Sequence, residues 1–191
     1  MPITLPPANI ATLDLPLQGI AGPLYRIHGA ANNPLFFGRT GGNRFDDPRK
    51  SFGVLYAGLS SEAAFAETFL RDPPKQVISE MEIARRRIAQ IKPRTRLYLV
   101  RAYDEGLAKI GITAEIGTCG YDISQAWAAA FFANRGNFDG IIWRGRHDNG
   151  TFSVALFDRA RSKLGATIKS REISKRQLKS FSDRWGFGLI P

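Results

Sequence analysis

The stretch from Gly41 to Leu70, GGNRFDDPRKSFGVLYAGLSSEAAFAETFL, holds a turn region, a strand and a helix in thirty residues. Gly41, Gly42 and the run Asp46-Asp47-Pro48 are turn formers. Val54 to Ala57 is a short apolar run that reads as a strand, and Ser60 or Ser61 opens the helix that follows. Arg44 therefore belongs to the turn region, Tyr56 to the strand and Glu67 to the helix. Glu67 stands three and four residues from Ala64 and Ala63 and three from Leu70, which puts a carboxylate on a helix face of small and apolar side chains. A lone glutamate at such a place ordinarily reaches from the edge of the face to water. Its nearness in the chain to an arginine and a tyrosine makes this stretch a candidate site instead.

Upstream, Pro2, Pro6, Pro7, Pro16 and Pro23 argue against a long helix, so residues 1–23 are expected to form an arm along the surface. Leu24 to His28 opens the first core strand. Ala30 to Phe52 is a connection too rich in Gly, Asn and Pro to be regular, and long loops inside compact domains tend to bind something. Downstream, Ser79 and Glu82 have capping-box spacing ahead of Ile83, Ile88 and Ile91, which predicts a helix carrying Arg85-Arg86-Arg87 on a solvated face. Leu97 to Tyr103 alternates as a strand, and Leu107 to Ile110 is a short helix stopped by Gly111. Asp122 and Gln125 are placed to cap the next helix reciprocally, and its body from Trp127 to Phe132 is apolar nearly all round, as in a buried helix. Strands at Ile141 to Arg144 and Thr151 to Phe157 flank a turn ending in Asn149-Gly150, a strong hairpin signal. Alternation along the second of these puts Ser153 with Thr151 and Ala155, opposite Phe152, Val154 and Leu156.

A chain of 191 residues supplies one domain with a sizeable core, and no internal repeat or second domain is visible. Cys119 is the single cysteine, which excludes an internal disulfide and suits a reducing cytoplasm. No apolar run is long enough to cross a membrane and no secretory leader is evident, so a soluble cytoplasmic protein is expected. His28 and His147 with one cysteine offer no ligand spacing, so no metal is expected. The formal charge of +10 invites a nucleic-acid reading, but eight Lys and Arg against Glu172 and Asp183 place +6 of it after residue 160. Within that basic tail, residues 161–191, Leu178, Phe181 and Trp185 fall at helical spacing, which predicts an amphipathic helix packed back on the domain, with docking to an acidic partner as the alternative. No zinc pattern, single-strand binding motif or recognition helix accompanies the charge. Gly41-Gly42 lacks the dinucleotide fingerprint, and no Gly-x-Ser-x-Gly elbow supports a serine nucleophile, so Ser153 is given a binding or orienting role.

The chain resembles the RES domain, a family named for an arginine, a glutamate and a serine. The likeness runs through Leu24-Tyr25-Arg26-Ile27, Asn33-Pro34-Leu35-Phe36 and Arg44-Phe45-Asp46-Asp47-Pro48. It is densest in Gly53-Val54-Leu55-Tyr56-Ala57 with Ala64-Phe65-Ala66-Glu67-Thr68, and resumes at Tyr121-Asp122, Phe138-Asp139-Gly140-Ile141-Ile142 and Phe152 to Phe157. It spans roughly residues 24–160, a single catalytic domain. Arg26, Glu67 and Ser153 match the name-giving residues, with Arg44 and Tyr56 as companions and Tyr25 as a weaker candidate, because Arg26 beside it on the strand claims the other face.

The resemblance implies an α+β, ADP-ribosyltransferase-like split sheet flanked by helices. It also implies the toxin half of a bacterial toxin–antitoxin pair, which breaks down NAD at the nicotinamide bond by hydrolysis or phosphorolysis and so arrests growth. NAD is then the substrate, inorganic phosphate a candidate acceptor, and the partner an antitoxin with a helix-turn-helix DNA-binding domain in a hetero-oligomer, so that contact with DNA is indirect. Nicotinamide is already a cationic leaving group, so the group needing stabilisation is the sugar cation. Glu67 suits that charge, Arg26 and Arg44 suit the pyrophosphate, and Tyr56 suits the nicotinamide or a ribose hydroxyl. Protein mono-ADP-ribosylation is one alternative and a non-catalytic basic nucleic-acid-binding module, with Glu67 structural, is another.

Overall fold

The computed structural model describes residues 2–70 and 77–191. Ser60 opens the predicted helix, α1 (Ser61–Phe69), by accepting from the Ala63 N–H at 3.1 Å, and the helix turns Ala63, Ala64, Phe65, Ala66 and Phe69 inward. It lies on Gly58, the last residue of strand β3 (Val54–Gly58). A Cβ at Gly58 would sit 2.5 Å from the Ala63 Cβ and 2.9 Å from the Ala64 nitrogen, so the close approach of helix to strand requires glycine. Gly58→Ala is expected to push α1 off the sheet at about 2 kcal/mol, a fall of roughly 6 °C in melting temperature. Thermal denaturation of the variant checks this, and an unchanged midpoint contradicts it.

The remaining strands are β1 (Leu17–Ile20), β2 (Leu24–Gly29), β4 (Val77–Ser79), β5 (Arg86–Lys92), β6 (Leu97–Ala102), β7 (Gly140–Arg144), β8 (Phe152–Phe157), β9 (Thr167–Arg171) and β10 (Gly188–Ile190). The other α-helices are α2 (Glu80–Ala84), α3 (Glu105–Ile110), α4 (Tyr121–Ala133) and α5 (Lys175–Trp185). Among the described residues, eight strands form one sheet in the order β1-β6-β7-β8-β3-β2-β5-β9, and β4 pairs with β10 in a small parallel ribbon. The large sheet is antiparallel except at β6–β7. With helices on its flanks it makes one α+β domain, the class the family resemblance implies.

The sheet is split. β3 pairs with β8 from Val54 to Gly58 and β2 pairs with β5 from Leu24 to Gly29, but β2 and β3 meet in register only at Tyr25↔Gly58. Alternation assigns the two faces. Val54, Ala155 and Phe157 pack with Val100, Ile141, Trp127 and Phe131 beneath α4, whereas Leu24, Leu55, Val154 and Leu156 pack with Leu97, Leu99 and Phe37 on the other side. A third cluster joins Ile27, Phe65, Phe69 and Ile88 to Phe181 of α5.

Three expectations change. Residues 86–92 form strand β5, not the continuation of a helix. Helix α2 stops at Ala84, and Ser79 makes no side-chain cap. Ile88 and Ile91 fit a three-residue helical spacing, yet as strand residues they serve opposite buried faces, Ile88 with Phe65 and Ile91 with Leu24. Asp122 and Gln125 form no reciprocal cap on α4. Its N-cap is Gly120, and the Gln125 amide instead donates to the carbonyls of Gly41 and Asn43, both at 2.9 Å. The N-terminal residues do more than lie on the surface: β1 pairs with β6, Ile3, Ile10 and Leu15 are buried, and Trp127 Nε1 donates to the Thr4 carbonyl at 2.8 Å.

Candidate active site

A cleft of about 650 Å³ opens where β2 and β3 part. The matched residues Tyr25, Arg26, Arg44, Tyr56, Glu67 and Ser153 all border it. Ser153 of β8 lies in register with Gly58, and Gly58 with Tyr25, so the serine and the tyrosine stand in one row across three strands. Ser153 is 2% exposed, and its hydroxyl donates to Glu67 Oε1 at 3.2 Å. The same oxygen accepts the Arg146 N–H at 3.3 Å. Glu67 is therefore a half-buried carboxylate oriented by a hydroxyl from the sheet and an amide from the β7–β8 loop. The Ser153 hydroxyl thus meets the carboxylate of α1, and its face of β8 is as well covered as the opposite one.

Arg44 reaches the cleft from the long 30–52 connection. Its Nη1 donates to the Cys119 carbonyl at 2.6 Å, and its guanidinium lies over the Tyr121 ring, 5.2 Å from the centroid. The loop is held from within. Asp46, 1% exposed, accepts from Thr40 Oγ1 (2.8 Å), the Asn43 amide (3.1 Å) and Asn43 Nδ2 (3.0 Å). Burial pushes the neighbouring Asp47 carboxyl up, but the hydroxyl and amide of Ser51 and the amide and charge of Arg49 outweigh it and hold the group below its ordinary value.

Tyr56 lines the cleft, but its hydroxyl is engaged within the fold. Its hydroxyl donates to Asp46 Oδ1 at 3.0 Å and accepts the Phe45 N–H at 2.8 Å, and burial raises its pKa well above the ordinary phenol value. The donor is spent on Asp46 and is not free for a ribose hydroxyl. Phe45 and Asp46 both follow Arg44 directly, so Tyr56 fixes the backbone that aims the guanidinium. Tyr56→Phe leaves Phe45 N–H without this acceptor and is expected to destabilise the fold by about 1–2 kcal/mol in urea unfolding, with an unchanged m-value. A midpoint equal to that of the unsubstituted protein would rule out this clamp.

Strand alternation puts Arg26 in the row of Leu24 and His28, with Tyr25 and Ile27 on the face of Ser153. Arg26 Nη1 donates to the carbonyls of Phe36 (2.7 Å) and Pro34 (3.3 Å), and burial lowers its pKa to about 10. It borders the cleft at the split, whereas Tyr25, its hydroxyl accepting from Gln90 Nε2 at 2.9 Å, faces the same side as Ser153. His28 points away to Ser170, 2.9 Å from its Oγ.

Sequence reasoning missed Arg86, Tyr121, Arg146 and His147, which also line the cleft. Arg86 was hidden in a run assigned to a solvated helix. Arg146 and His147 sit in what reads as an ordinary hairpin turn; the signal available was its position directly before the strand of Ser153. Four arginines, Arg26, Arg44, Arg86 and Arg146, thus border a cleft holding one oriented carboxylate. Such a lining can attract an anionic ligand and offers a single negative charge to a cation within it. No group of three or more metal-ligating side chains is gathered among the described residues, and no helix among them is long and apolar enough to cross a membrane.

Among curated proteins none matches the chain. A chain from the crystal structure of the M. tuberculosis MbcT–MbcA toxin–antitoxin complex superposes with a TM-score of 0.67, covering 87% of this chain and 92% of that one at 14% identity, a likeness of fold. The model of the RES domain matches residues 23–178, through β9 and into α5, beyond the point where the recognisable motifs stop. With that match spanning most of its length, the chain belongs to the RES domain family.

Proposed function

We propose that this protein is the toxin of a toxin–antitoxin pair and that it cleaves the nicotinamide–ribose bond of NAD. The observation that carries the reading is the Glu67 carboxylate, held by Ser153 and the Arg146 amide in a cleft bordered by four arginines. The guanidiniums of Arg44 and Arg146 bind the pyrophosphate, and Glu67 stands beside the ribose. Arg146 takes the place expected for Arg26, whose strand position faces away from Ser153 and whose Nη1 is held by the Phe36 and Pro34 carbonyls. As the bond to the cationic nicotinamide breaks, positive charge develops on the sugar and the carboxylate stabilises it. No general acid is needed, because nicotinamide leaves neutral. Tyr56 and Asp46 act indirectly, by fixing Arg44. The acceptor is water or inorganic phosphate.

The fold shared with a chain of a toxin–antitoxin complex supports a cognate antitoxin that covers the cleft in a hetero-oligomer. In this reading the antitoxin carries the helix-turn-helix domain, the toxin meets DNA only through it, and both act in the cytoplasm where NAD is found. The test is incubation of purified protein with NAD, with and without inorganic phosphate, following products by mass. Free ADP-ribose establishes hydrolysis, and a phosphorylated ADP-ribose that appears only with phosphate establishes phosphorolysis. Intact NAD in both samples overturns the reading, and label on a protein would assign the cleft to ADP-ribosyl transfer.

A further inference from the structure

Helix α5 is tied to the cleft at two separate points. Its apolar side packs on α1: the rings of Phe181 and Trp185 lie 4.4 Å and 5.7 Å from that of Phe65, two residues before Glu67. Its basic side reaches the β7–β8 loop, where Arg184 Nε and Nη2 donate to Asp148 Oδ2 at 2.9 Å and 2.6 Å. Asp148 organises that loop. Its Oδ1 accepts the Gly150 N–H at 2.9 Å, and its carbonyl accepts the amide and hydroxyl of Thr151 at 2.9 Å and 2.8 Å. Gly145 N–H to the Thr151 carbonyl, 2.9 Å, closes the ring of bonds. One residue beyond Gly145 is the amide that holds Glu67.

We propose that Arg184 is a positioning residue of the active site: through Asp148 it sets the β7–β8 loop, hence the Arg146 amide and the bearing of the Glu67 carboxylate. The proposal rests on the reading of the cleft as the NAD-cleaving site. It gives part of the basic tail a task inside the molecule. The Arg184 side chain is 46% exposed but that of Asp148 only 14%, so the carboxylate is held from the protein side, and both bonds converge on one of its oxygens. Phe181, 1% exposed, anchors α5 independently of Arg184, so loss of the guanidinium frees the loop without releasing the helix. A reacting group displaced by a fraction of an ångström loses rate rather than affinity.

Arg184→Ala and Arg184→Lys test this with two readouts, the kinetics of nicotinamide release and deuterium uptake by the segment 144–152. Arg184→Ala is expected to lower kcat about tenfold with KM within about twofold. Uptake by the segment should rise while the melting temperature shifts by no more than about 2 °C. Arg184→Lys, which keeps the charge but not the fork, should recover part of both effects. Unchanged kcat overturns the proposal, and so does a lowered kcat with unchanged uptake, which would place the effect elsewhere. If Arg184→Ala does not fold, the lysine variant carries the same two readouts under the same criteria. If the unsubstituted protein releases no nicotinamide, the proposed function fails; uptake then decides alone whether Arg184 sets the loop, faster uptake upholding it and unchanged uptake overturning it.

Discussion

Glu67→Gln is expected to slow nicotinamide release from NAD by about a thousandfold while leaving the fold intact. Glutamine keeps the size of the side chain, and its amide oxygen can still accept from Ser153 and from the Arg146 N–H, the two groups now 3.2 Å and 3.3 Å from Oε1. What disappears is the negative charge. Preorganised charge aimed at a transition state is worth about 3–4 kcal/mol in rate when one element is removed. Since the carboxylate acts on a charge that forms only during bond breaking, kcat should fall and KM should hardly move. Ser153→Ala removes an orienting contact and keeps the charge, so it should cost less, about tenfold. Steady-state kinetics on both variants, with melting temperatures as a control, check the order of effects. Activity of Glu67→Gln within tenfold of the unsubstituted protein would show that the carboxylate is not the stabilising charge.

Phe65→Ala is expected to cost about 4 kcal/mol of stability, a large share of the 5–15 kcal/mol typical of a domain. Phe65 is fully buried, and its ring meets Phe181 at 4.4 Å, Phe69 at 4.8 Å, Phe187 at 5.4 Å and Trp185 at 5.7 Å. Truncation removes one ring from a group of five and leaves a cavity between α1 and α5 that rigid aromatic neighbours fill poorly. The melting temperature should drop by roughly 12 °C, and Phe65→Leu, which retains most of the volume, by less than half as much. Urea denaturation measures both. A loss below about 1 kcal/mol for the alanine variant would mean that α5 does not depend on this stack.

The sequence signals that proved legible were local and redundant. Ser60 before a run of small and apolar residues marked α1, and the Asn149-Gly150 turn before the run from Thr151 to Phe157 marked β8. The spacing of Leu178, Phe181 and Trp185 marked a helix with one apolar side, which the structure packs on Phe65. What was hidden depends on partners distant in the chain. Ile88 and Ile91 satisfy a helical spacing and a doubly buried strand equally well, and only pairing with β2 and β9 decides between them. Gln125 has the side chain for a cap, but the Gly41 and Asn43 carbonyls, more than eighty residues away, claim it. The tyrosine hydroxyl of Tyr56 is taken by Asp46 for the same kind of reason. The Arg146 amide leaves no trace in side-chain chemistry, since any non-proline residue there could donate it. The gap between β2 and β3, which makes the cleft, is a property of how two ladders diverge and not of any single residue.

Under the proposed function, NAD lies in this cleft with its nicotinamide ribose against Glu67. A crystal structure of Glu67→Gln soaked with millimolar NAD tests it most directly, since the variant should bind NAD and leave it intact. Unbroken NAD is expected between β2 and β3, its pyrophosphate on Arg44 and Arg146 and the ribose anomeric carbon facing residue 67. NAD bound elsewhere, or no NAD in the cleft of a well-ordered crystal, would contradict it.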